Sequence, residues 1–119
     1  MDAQFREELI NWGVDFYEVK ERFAGNEDLV EKFMLKFLND TSMERLENGL
    51  KSGDVEEAFQ GSHALKGVAG NLSMAALLPD VKKLTEILRA KSLEGTDELY
   101  EEIKRKYDDL IVILEKYKQ

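Results

Sequence analysis

Ser62-His63-Ala64-Leu65-Lys66-Gly67-Val68-Ala69-Gly70-Asn71-Leu72 is the stretch on which the reading of this chain turns. With the residues before it, it has the period of a helix from about Val55 to Leu72. Val55, Ala58, Ser62, Leu65, Ala69 and Leu72 recur at i, i+3, i+4 and i+7 and form an inward side. At about 100° per residue, His63 then lies about 140° around from the middle of that side. It is the only histidine in 119 residues. Lys66 and Gly67 follow it by one turn and Gly70 by two, so they share its side of the helix. A glycine inside a helix costs roughly 1 kcal/mol relative to alanine. Two of them beside a lone imidazole read as space cleared for an approaching molecule. Phe59 and Lys66 fall between the inward and outward sides.

The flanking segments repeat the helical period. Asp54, with Glu57 three residues on, makes a capping-box-like start, and Ser52-Gly53 closes the preceding helix. That helix is expected from Glu27 to about Lys51, with Gly25-Asn26 as turn and N-cap. Its stripe Val30, Phe33, Met34, Phe37 and Thr41 gives way to a rotated one, Leu35, Met43, Leu46 and Leu50, implying different neighbours along its length. Leu38 falls off both stripes and is expected at the surface. Residues 1–23 read as two short helical pieces divided near Gly13, the second capped by Asp15, lying across one end of the molecule.

Beyond Leu72, Ser73 is expected to cap the next helix, and Pro79 fits its first turn or a kink in a helix starting at Met74. Leu77, Val81, Leu84, Thr85 and Leu88 supply its inner stripe. Glu94-Gly95 is a break, Thr96 an N-cap, and the last helix turns Leu99, Ile103, Tyr107, Leu110, Leu114 and Tyr117 inward. Nothing reads as a strand. The expectation is an all-α fold in a single domain, 1–119. It comprises an antiparallel up-down-up-down four-helix bundle over 26–118 with a short N-terminal helical cap over 1–23.

Composition narrows the function. A net charge of −8 argues against nucleic acid or an anionic membrane as partner. The basic run Lys104-Arg105-Lys106 is offset by Glu101, Glu102, Asp108 and Asp109 and reads as a solvated helix face. No stretch approaches the ~20 apolar residues of a membrane span, and Met1 to Phe5 do not resemble a secretory signal. With no cysteine, the chain is expected to be cytoplasmic. One histidine and no cysteine leave no metal site of the zinc or di-iron type, because the latter needs two Glu-x-x-His pairs and Gln60 stands three before His63. No phosphate loop, dinucleotide fingerprint or kinase signature is present.

One nucleophile remains. Imidazole offers a lone pair near neutral pH and can attack phosphorus without a general base. A lysine one turn away can steady the added negative charge. Helix, lysine and glycines thus suit a phosphorylatable histidine presented to a partner protein.

His63-Ala64-Leu65-Lys66-Gly67, with the small residues to Asn71-Leu72, resembles the His-x-Leu-Lys-Gly signature of histidine-containing phosphotransfer (HPt) domains. Gly13-Val14-Asp15, Phe23-Ala24-Gly25-Asn26-Glu27-Asp28, Phe33 and Phe37-Leu38 resemble that family's approach to the phosphohelix, so the likeness spans nearly the whole chain. It implies a phosphorelay intermediate: His63 accepts a phosphoryl group from the aspartyl phosphate of a response-regulator receiver domain and donates it to another. Lys66 matches the lysine that contacts the phosphoryl oxygens, and Gly67 and Gly70 match the positions that admit the receiver. Gln60 and Phe59 are candidate binding residues beside them, against a solvated glutamine and a core phenylalanine. Ser73 stands where relatives frequently have glycine. The family implies no cofactor on this chain, with Mg²⁺ on the receiver; a hybrid histidine kinase is a further candidate partner, and a monomer is expected. The alternative is a non-transferring adaptor of the same fold that binds a receiver or kinase by this face.

Overall fold

The computed structural model describes all 119 residues, and every regular element in it is helical. Four of the helix starts are set by a short polar side chain. Asp2 accepts from the Phe5 amide at 2.8 Å and opens α1, Ala3–Trp12. Asp15 accepts from Glu18 at 3.0 Å for α2, Phe16–Arg22, and Asn26 from Leu29 at 3.1 Å for α3, Glu27–Lys36. These side chains satisfy amides that have no partner inside the helix.

The helix expected over 27–51 is two helices. A 3₁₀ turn, Phe37–Asn39, ends α3, and α4 begins at Ser42 and runs to Ser52. The cause is the run Asn39-Asp40-Thr41-Ser42, four residues that compete with helical hydrogen bonding. Asp40 is extended and its carboxylate accepts from the Ser42 amide at 2.9 Å. The break changes which side chains turn inward: Thr41 is exposed, Phe33 is 39% exposed, and Leu38 is half-buried against the core rather than at the surface.

Gly53, with φ of 73°, closes α4 in the left-handed region that suits glycine. Asp54 then caps α5, Val55–Asn71, accepting from Glu57 at 3.0 Å. The reciprocal half of the box is missing, because the Glu57 carboxylate turns to Arg45 at 2.6 Å. Pro79 sits in the first turn of α6, Leu78–Arg89. Ser73 does not cap α6: it is buried, with φ of 52°, and its hydroxyl donates to Glu18 at 2.8 Å. Thr96 is the first residue of α7, Thr96–Tyr117, rather than its N-cap; its hydroxyl donates back to the Leu93 carbonyl at 2.8 Å.

Helices α4, α5, α6 and α7 pack in sequence order, each on the next. Leu46, Leu65, Leu84, Leu88, Ile103 and Leu110 are fully or almost fully enclosed between them. Each such side chain stabilises the fold by about 1.5–3 kcal/mol relative to an exposed position. The N-terminal helix does not lie across an end: α1 runs beside the C-terminal half of α7. Phe5 stacks on Tyr117 with ring centroids 4.5 Å apart, and the Trp12 indole donates to the Lys106 carbonyl at 2.8 Å. The α1–α2 connection is stitched to the α5–α6 connection by two backbone bonds, Asp15 to the Ser73 carbonyl at 2.9 Å and Ala76 to the Gly13 carbonyl at 3.0 Å. This holds α2 next to the last turns of α5. No helix is long and apolar enough to cross a membrane.

Candidate functional site

Three consecutive residues of α5 orient the site. Gly61 faces α4 so closely that a Cβ there would stand 2.4 Å from the Leu46 nitrogen. Ser62 is buried against α6, its hydroxyl 2.6 Å from that of Thr85. Thr85 spends its own proton on the Val81 carbonyl at 2.7 Å, so Ser62 is the donor between the two hydroxyls. With α5 gripped on two sides at 61 and 62, a further 100° of helical turn carries His63 into solvent. Its side chain is exposed.

The surface around the imidazole is bare towards the C-terminal end of α5. A Cβ built on Gly67 or Gly70 would meet nothing within 4 Å. Lys66 is half-buried and lies, with Gly70, along a shallow groove that Arg22 of α2 and Lys82 and Glu86 of α6 complete. On the other flank of α5, Val68, Asn71 and Leu72 line an open groove with Phe23, Phe33 and Phe37. Arg22 borders both grooves.

Towards the N-terminal end the surroundings are filled. Gln60 is exposed, but its amide donates to Glu56 one turn earlier at 2.9 Å. Phe59 is half-buried and stacks on the His63 ring. The structure thus brings His63, Lys66, Gly67, Gly70 and Phe59 onto one surface, with Gln60 engaged by a neighbour. Arg22 and Lys82, beside Lys66, and Arg89, over the Phe59 ring, approach from other helices and were not singled out in the sequence. No local signal could find them, because their placement depends on how α2 and α6 meet α5. No group of three or more Asp, Glu or His side chains stands together as a metal site.

The family model of the Hpt domain matches residues 34–112, more than half of the chain. This chain belongs to the Hpt domain family. No curated protein and no solved structure matches it significantly. The Hpt match begins within α3 and ends within α7, so α1 and α2 lie outside it. An Hpt domain is a carrier of histidine phosphotransfer in two-component phosphorelay signalling and is not itself a kinase. Hpt domains interact in general with response-regulator receiver domains and with kinases.

Proposed function

We propose that His63 is the phosphoacceptor, taking a phosphoryl group from the aspartyl phosphate of one receiver domain and passing it to the aspartate of another. The observation that carries this reading is the exposed imidazole beside two glycines with open space before them. In the forward step an imidazole nitrogen lone pair attacks phosphorus. The bond between phosphorus and the aspartyl oxygen breaks, and the carboxylate leaves with the electron pair. The second step reverses this on a new carboxylate. Little covalent chemistry falls to the protein, so positioning and charge dominate.

Lys66 lies one turn from His63 and supplies a positive charge to the phosphoryl oxygens. Gly67 and Gly70 let the receiver's active centre come to bonding distance. Phe59 and Gln60 border the docking area. Mg²⁺ and the acidic pocket belong to the receiver, and this chain contributes no cofactor. The domain acts as a monomer in the cytoplasm, where receivers and the cytoplasmic parts of hybrid histidine kinases meet it. Its helices α4 to α7 run up-down-up-down, which their packing in sequence order and short connections support.

The test is transfer of labelled phosphate from a phosphorylated receiver domain to this protein, read as an acid-labile, base-stable adduct. His63→Gln abolishes the label. Label that persists in that variant ends the assignment.

A further inference from the structure

Phe59 and His63 stand one turn apart on α5, and their rings lie 5.7 Å apart between centroids with planes inclined by 17°. That is the geometry of an offset aromatic stack. Phe59 in turn is engaged by Arg89, the last residue of α6, whose guanidinium carbon lies 5.0 Å from the phenyl centroid. Arg89 is itself tied to Glu86 at 2.9 Å. The exposed imidazole therefore ends a column that begins on a neighbouring helix: Glu86, Arg89, Phe59, His63.

We infer that Phe59 is a positioning residue for phosphotransfer, holding the His63 ring in one orientation for the receiver, with Arg89 steadying Phe59. The inference rests on His63 being the phosphoacceptor. An exposed histidine on a helix otherwise samples several rotamers, and that freedom must be lost before an in-line attack. Histidines used in chemistry are commonly oriented by a hydrogen bond to the second ring nitrogen. A stack acts on the face of the ring, so neither nitrogen is consumed. One stays free to attack phosphorus and the other to hold or release its proton. An aliphatic residue at 59 would fill the same boundary space without a flat surface to align the ring. Packing against the core explains why the residue at 59 is apolar; the parallel rings explain why it is aromatic.

The experiment compares Phe59→Leu and Phe59→Tyr with the wild type. In proton NMR spectra of the wild type, the His63 ring protons are displaced upfield by the phenyl ring current. Phe59→Leu returns them to the position of an unstacked histidine, and Phe59→Tyr keeps the displacement. In transfer from a phosphorylated receiver domain, Phe59→Leu lowers kcat about fivefold, the worth of the rotamer freedom regained, with a smaller effect on KM. Phe59→Tyr restores kcat, which a role in bulk packing alone does not require. Arg89→Met, which keeps the aliphatic stem, lowers kcat about twofold. Ring-proton shifts that do not move in Phe59→Leu overturn the inference. So does a raised KM with unchanged kcat, which would make Phe59 a docking contact. If no receiver labels wild-type His63, the functional reading fails and this role falls with it. If the wild type is labelled and Phe59→Leu matches its kcat, only the role of Phe59 fails.

Discussion

Helix α5 carries glycine on two sides, and the two sets meet opposite surroundings. On the α4 side, a Cβ on Gly61 would lie 2.4 Å from the Leu46 nitrogen and 2.9 Å from the Arg45 carbonyl carbon, and one on Gly49 of α4 would lie 2.3 Å from the Ala58 nitrogen. Backbone meets backbone there, and no side chain can yield. On the outer side, Gly67 and Gly70 face open space. The first pair is repaid within the chain, by letting two helices approach closely enough to enclose Leu46, Ala58 and Leu65. The second pair receives no such return. A glycine that weakens a helix where a side chain would meet nothing has its use outside the chain, in what must come close to His63.

Stability and transfer should therefore separate cleanly along the two sides of α5. The largest effect on stability belongs to Gly61→Ala, which forces α4 and α5 apart and costs about 3 kcal/mol, a fall of roughly 10 °C in Tm. A thermal melt within 2 °C of the wild type, by far-UV circular dichroism, would remove the close-packing role (the bound is about half a kcal/mol). Gly67→Leu does the converse. It leaves Tm unchanged or higher and slows transfer from a phosphorylated receiver roughly a hundredfold, because misplacing reacting groups by an ångström is enough for that. Normal transfer in that variant would contradict an approach over Gly67.

Lys66→Ala lowers the transfer rate about tenfold, the equivalent of ~1.4 kcal/mol in the barrier, at an unaltered Tm. An unchanged rate would take Lys66 out of the mechanism. Ser62→Ala costs about 1 kcal/mol in thermal unfolding, since Thr85 keeps its bond to Val81 and only the Ser62 contribution is lost. A loss of several kcal/mol would mean that this bond, rather than the glycine contact, sets how α5 is held.

The smallest effect lies far from either set of glycines. The Glu8 carboxyl is held below its usual 4.5, chiefly by hydrogen bonds from Lys116 and Tyr117. A carboxyl with a depressed folded-state pKa contributes stability that is present above its unfolded value and lost as pH falls through the folded one. Glu8→Gln therefore flattens the pH dependence of Tm below about pH 4.5 and leaves its slope near neutrality unchanged. A steeper acid slope in the variant would reverse the assignment.

How much of this was legible beforehand varies with how local the cause is. The inward side of α5, the caps at Asp15, Asn26 and Asp54, and the outward His63 follow from spacing within a few turns. The interruption at 37–41 was also written locally, in Asn39-Asp40-Thr41-Ser42, but the apolar stripe on either side of it outweighed that signal. Ser73 and Thr96 have the chemistry of N-caps, yet Ser73 is drawn into the contact with Glu18 and Gly95 takes the position before α7. Gly49 and Gly61 carried no signal of their own, because a glycine in a helix looks the same whether it faces a backbone or solvent. Arg22 and Arg89 reach the site only through the packing of α2 and α6.

The amino-acid sequence alone determined an all-helical chain and a histidine turned outward beside lysine and glycine, because helical period and capping are properties of single segments. Tertiary structure decided how closely α4 approaches α5, that α1 lies along α7, and which cations come beside Lys66 and Phe59. Those depend on which surfaces of distant segments meet, and at what separation.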